Sequence, residues 1–138
     1  MTAGSCLCQQ IQYEALGEPV IVAHCFCVDC QKLSGAGHST GAAFYRDNLS
    51  IQGQLSSYTL TADSGHQVTR SFCPHCGSSL FGQNDGMPEV ITIAVGTMDH
   101  PGDMVPAVAV FDRNQCAWDI IPQEVQSYQN QPNWKAKP

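Results

Sequence analysis

Seven of the eight cysteines in this 138-residue chain fall into three tight groups: Cys6-Leu7-Cys8, Cys25-Phe26-Cys27-Val28-Asp29-Cys30 and Cys73-Pro74-His75-Cys76. Thiolates one or two residues apart can aim at a single point without straining the backbone, and a tetrahedral Zn²⁺ accepts four of them at about 2.3 Å each. The spacing therefore points to metal chemistry. The last group has the form of a zinc knuckle, a tight turn whose N–H groups face the first sulfur. Pro74 fixes one φ angle there, and Gly77 is free to take positive φ. A knuckle supplies half the ligands of a closed structural site, and Cys6 and Cys8 are the natural second pair. Their union closes a loop of roughly seventy residues, which restricts the unfolded chain strongly.

Cys25, Cys27 and Cys30 then form a set of their own. Three thiolates from one loop fill three corners of a tetrahedron and leave the fourth for water or substrate, the arrangement of a catalytic zinc. Three anionic sulfurs overcompensate the dication, so such a centre acidifies water less well than a site of neutral ligands. It suits a soft thiol instead, kept as thiolate at neutral pH and able to attack, or leave from, a carbonyl carbon.

The elements that must hold these groups are short strands. β-Branched and aromatic runs, several alternating in polarity and separated by turn residues, occur at Ile11–Ala15, Ala42–Tyr45, Leu49–Ile51, Ser57–Leu60, Gln67–Phe72 and Glu89–Val95. A turn or two of helix is expected around Asp29–Leu33, ended by Ser34-Gly35-Ala36-Gly37, and a second short one near Trp118–Ile121 before Pro122. The fold class is all-β with little helix. No repeat or interdomain linker interrupts the chain, so residues 1–138 read as a single zinc-binding domain. About 126–138, polar and Pro-containing, reads as an extended tail.

Composition sets the surroundings. The start, Met1-Thr2-Ala3-Gly4-Ser5, has no basic segment or apolar signal-peptide core, which predicts a cytoplasmic protein whose thiols stay reduced and favours metal over disulfides. No stretch approaches the roughly twenty apolar residues of a membrane-spanning helix, and six Lys and Arg face twelve Asp and Glu. Neither membrane nor nucleic acid is an expected partner. Filling both sites takes the formal charge of −6 to about −9, because metal strips the thiol protons. An anionic substrate must then be met by single cations. Lys32, Arg46, Arg70 and Arg113 are the candidates, although each alone reads as solvated surface.

Other polar residues carry plainer readings. His24 either hydrogen-bonds toward a sulfur or substrate or packs at a strand end, and Asp29 reads as a helix cap before it reads as a proton relay. His75 inside the knuckle is expected to be exposed, and His38, His66 and His100 to be solvated loop residues. Cys116, outside every group and close to Trp118, reads as a small buried hydrophobe.

Taken together, Gly4-x-Cys6-x-Cys8, His24-Cys25-x-Cys27-x-x-Cys30-x-x-x-Ser34-Gly35, Tyr58, Arg70-x-Phe72-Cys73-x-x-Cys76-Gly77-Ser78-x-Leu80, Val95-Gly96-Thr97-Met98-Asp99 and Trp118 resemble the glutathione-dependent formaldehyde-activating enzyme family. That family includes the centromere protein V-like proteins, and the resemblance spans nearly the whole chain. It implies a β-tent, Mss4-like fold, a structural zinc on Cys6, Cys8, Cys73 and Cys76, and a second zinc on Cys25, Cys27 and Cys30. It also implies carbon–sulfur lyase chemistry: the reversible addition of a small thiol, glutathione, to formaldehyde. Gln9 stands where the family usually has glycine, and Val108 near where many members have histidine. Two readings stand beside the enzyme: a zinc-stabilised scaffold or binding module without catalysis, and a lyase acting on another thiol adduct.

Overall fold

Tyr13 and Ala15 are buried while Gln12 and Glu14 are exposed, so strand β2 (Gln12–Ala15) turns one face inward, as its alternation requires. This is seen in a computed structural model of the chain, which describes residues 1–132. β2 pairs antiparallel with β1 (Thr2–Ser5) on one side and with β5 (Leu49–Gln52) on the other, giving a three-stranded sheet.

The larger sheet has eight strands. They are β3 (Ile21–Cys25), β4 (Ser39–Tyr45), β6 (Ser56–Thr61), β7 (Gln67–Phe72), β8 (Ser79–Asn84), β9 (Val90–Ala94), β10 (Val108–Val110) and β11 (Gln126–Ser127). Their order across the sheet is β11-β10-β3-β4-β9-β8-β7-β6. One α-helix, α1 (Val28–Ser34), joins β3 to β4. The all-β expectation holds, with one α-helix among the described residues.

Register decides which side chains share a face. Val22 pairs with Ala42, Ala42 with Ile93, Phe44 with Ile91 and Ile93 with Phe81, and all of these are buried in one core with Ile11 and with Tyr13 and Ala15 of the small sheet. Burying each large member stabilises the fold by about 1.5–3 kcal/mol. Moving one residue along each strand reverses the face. Cys25 opposite Ser39, Ala43 opposite Thr92, Thr92 opposite Gly82 and Gly82 opposite Arg70 therefore share the other side of the sheet.

Five strands escape the sequence reading. β1 is Thr-Ala-Gly-Ser, β8 holds Gly82 in mid-strand, β10 and β11 are very short, and β3 runs straight into the cysteine-rich loop before α1. Their pairing comes from neighbours rather than from propensity. The helix expected near Trp118–Ile121 is replaced by a turn. Asp119 N donates to Cys116 O at 2.9 Å, the Gln115 side chain donates to Asp119 O at 2.7 Å, and Pro122 disfavours a helical Ile121. Gln126–Ser127 pairs parallel to β10, which places the beginning of the expected tail in the sheet. Residues 133–138 of that tail lie outside the described residues.

Candidate metal centres

The first centre is assembled from two segments far apart in the chain, Cys8 and Cys73 being 65 residues from one another. The sulfurs of Cys6, Cys8, Cys73 and Cys76 all lie within 4.8 Å of one another, with Cys6 to Cys8 at 3.6 Å and Cys8 to Cys73 at 3.7 Å. Four sulfurs around a zinc with 2.3 Å bonds stand about 3.8 Å apart, so the cluster has the dimensions of a tetrahedral thiolate site. Local backbone turns produce it. Gly77 takes φ 79, its N–H donates to Cys73 O at 2.9 Å, and Cys76 N–H faces Cys73 Sγ at 3.5 Å. On the other arm, Ile11 N–H donates to Cys6 Sγ at 3.3 Å, and Gln9 is held at φ 65.

Ser78 joins the two arms. Its hydroxyl accepts from Leu7 N–H at 3.0 Å and lies 3.2 Å from Cys76 Sγ. Hydrogen bonds from the Ser78 side chain and backbone hold the Cys76 thiol down at about 5. Ser78 belongs to the knuckle motif, but its bridging role depends on the arrival of a loop 71 residues away.

The second centre is local. Cys25 ends β3, Cys27 is the N-cap of α1, and Cys30 lies buried in the first turn of that helix. Their sulfurs also lie within 4.8 Å of one another, and no fourth His, Cys, Asp or Glu joins them among the described residues. Cys27 Sγ accepts from Cys30 N–H at 3.3 Å, so sulfur takes the capping position and Asp29 sits inside the first turn. That corrects the reading of Asp29 as the cap. Gly35, at φ 68, stops the helix.

The surroundings of Cys30 favour its thiolate. Hydrogen bonds from Cys25 and Cys27 push its thiol strongly down, and Arg70 and Ser39 add to the effect. Cys25, pressed against the sulfurs of Cys27 and Cys30 and half-buried, is pushed strongly up. Three sulfurs competing for protons at this spacing form a donor set that a soft dication satisfies. Arg70 Nη2 donates to Cys30 Sγ at 3.6 Å. Arg70, expected from the sequence to be solvated surface, lies against the site instead.

The remaining candidates fall elsewhere. His24 lies on the reverse face from Cys25, its Nδ1 2.8 Å from Thr40 Oγ1 and its ring 4.6 Å from that of His38. Burial and the neighbouring His38 lower its imidazole below the ordinary value. His38 is not a free loop residue: it pairs with Asp119 at 2.5 Å. His66 pairs with Asp85 at 3.0 Å, Arg46 donates to Gln83, and Arg113 sits over the Phe111 ring. His75 and His100 are exposed, as is Lys32. Cys116 is half-buried, and its neighbour Trp118 is 72% exposed. Val108, buried in β10, pairs with Ala23 and so shares the sheet face of Cys25, with Val110 paired to that cysteine.

No helix among the described residues is long and apolar enough to cross a membrane. No curated protein matches the chain. A solved crystal structure of a Rhodobacter sphaeroides protein aligns with a TM-score of 0.56 at 20% identity, covering 70% of this chain and 87% of that one. At that identity the likeness supports the fold alone, and it agrees with the β-tent, Mss4-like class. The family model described as glutathione-dependent formaldehyde-activating enzyme matches residues 1–114. The chain belongs to that family.

Proposed function

We propose that this member of the glutathione-dependent formaldehyde-activating enzyme family is a zinc-dependent carbon–sulfur lyase that adds a small thiol such as glutathione reversibly to an aldehyde. Cys25, Cys27 and Cys30 would hold the zinc at which the thiol enters, and Cys6, Cys8, Cys73 and Cys76 a structural zinc. The observation that carries this reading is the contrast between the clusters: four sulfurs close one, whereas three sulfurs and no other metal-binding side chain form the second among the described residues.

Zinc bound there would supply a coordination position with affinity for a soft thiolate. The chain's residues do the rest. Cys27 fixes its sulfur by capping α1, Cys25 and Cys30 converge from either side, and Cys25 and Cys27 are only half-buried. In the addition, the substrate sulfur forms a bond to the aldehyde carbon, the carbonyl π pair moves to oxygen, and the thiol proton ends on that oxygen as the new hydroxyl. The reverse reaction restores thiol and aldehyde. The seven clustered cysteines are free thiols, and a reducing compartment, the cytoplasm, suits their role as ligands. The unit that acts is the single domain of residues 1–138.

The test is magnetisation-exchange NMR on glutathione and formaldehyde with zinc-loaded protein. Exchange between free thiol and its hydroxymethyl adduct should accelerate with wild type and fall to the uncatalysed rate with Cys30→Ser. Equal exchange with both proteins would overturn the proposal.

A further inference from the structure

Arg70 sits on β7, three residues before Cys73, on the sheet face that carries Cys25 and Ser39. In a flat sheet, the three spacings from β7 to β4 would come to about 14 Å. Contact between Arg70 and Cys30 therefore draws on the reach of the arginine side chain and on α1, which packs against β4 and brings Cys30 toward β7.

Gly82 provides the perch. It is the cross-strand partner of Arg70, and a Cβ built there would stand 2.7 Å from Nη1 and 3.4 Å from Cζ. The guanidinium thus lies over a position that only glycine leaves clear. From there Nη2 reaches Cys30 Sγ at 3.6 Å, while Nε is shielded from solvent without a hydrogen-bond partner. A cation held this way needs a counter-charge. No carboxylate supplies it, since the ion pairs among the described residues are His38–Asp119 and His66–Asp85. The sulfur cluster does.

We propose that Arg70 is the positioning residue of the second cysteine site, acting through Cys30 to offset the negative charge that three thiolates leave around a dication. An incoming thiolate then meets a site that is near neutral instead of one that repels it. This rests on the reading that the site binds a thiol, and it gives that site its selectivity for an anionic sulfur. Lysine would keep the charge without the planar fork that lies on Gly82 and donates sideways.

Arg70→Gln, Arg70→Lys and Gly82→Ala, each in the full chain, test the role by chelator competition for the second metal and by glutathione titration of cobalt-loaded protein. Arg70→Gln should weaken second-site metal binding about 10–100-fold and weaken glutathione binding with it, leaving the four-cysteine metal unchanged. Arg70→Lys should recover part of both. Gly82→Ala displaces the guanidinium without removing its charge and should shift both affinities the same way; it also serves if Arg70→Gln fails to fold. Wild-type affinities in Arg70→Gln, or equal weakening of both metal sites, would overturn the assignment. A wild type whose cobalt spectrum ignores glutathione would instead strike the proposed function, while the effect of Arg70 on metal affinity would still be read from the competition.

Discussion

The sulfurs of Cys8 and Cys73 lie 3.7 Å apart although 65 residues separate them in the chain. The contact ties the small sheet, through the turn after β1, to the knuckle between β7 and β8. A metal bound at this cluster would therefore be coupled to tertiary structure. Cys6→Ser or Cys73→Ser should cost about 4 kcal/mol or more, since both side chains are also fully buried. Chemical denaturation of the zinc-loaded variants checks this, and an unchanged midpoint would refute the coupling.

The two centres should part company under a chelator. Cys25 and Cys27 are half-exposed and come from one loop, whereas Cys6 and Cys73 are buried and come from distant segments. Mild chelation should release one metal per chain with the fold retained, and the thiols of Cys25, Cys27 and Cys30 should then be alkylated first. Simultaneous loss of both metals with unfolding would contradict the assignment of an open site.

Gln9 pays a conformational cost after Cys8, where the family usually has glycine. Its φ of 65 is in the left-handed region that side chains disfavour. Gln9→Gly should stabilise the protein by about 1 kcal/mol with zinc content unchanged, read by denaturant titration. A lower stability would show that the turn needs the side chain.

Tyr13 gives the fold an alkaline limit. Burial raises its hydroxyl from 10.0 to about 12, and the hydroxyl donates to Thr97 Oγ1 at 2.8 Å, since Thr97 itself donates to Ala94 O. Between those values the unfolded chain gives up the Tyr13 proton and the folded chain keeps it. Unfolding then releases a proton, and stability falls as pH rises from 10 toward 12. Tyr13→Phe should lose about 1 kcal/mol at neutral pH but show a flatter decline above pH 10. Parallel slopes in the two proteins would remove Tyr13 as the cause.

Much of the site was legible because its chemistry is local. The spacing of Cys25, Cys27 and Cys30 is short enough to dictate convergence, and the knuckle at Cys73–Cys76 announces itself through Pro74 and Gly77. The pairing of Cys6 and Cys8 with the knuckle followed from ligand number. Arg70 was not legible as a partner of Cys30, because that contact depends on register across β7 and β8, on the empty space over Gly82 and on where α1 lies. His38 and Asp119, 81 residues apart, were hidden because only the tertiary fold brings their two loops together. Strands such as β1 and β10 carry little propensity of their own and exist because neighbours pair with them.

Entry of a thiol at the second cluster separates a lyase from a scaffold. Cobalt in place of zinc makes the thiolate-to-metal absorption of each site visible, and a fourth sulfur ligand strengthens that absorption. Glutathione titrated into cobalt-loaded wild type should produce a saturable spectral change, absent in Cys27→Ser and Cys30→Ser while the four-cysteine absorption and the fold persist. A wild-type spectrum indifferent to glutathione and to smaller thiols would contradict the lyase reading and leave the chain a zinc-stabilised scaffold.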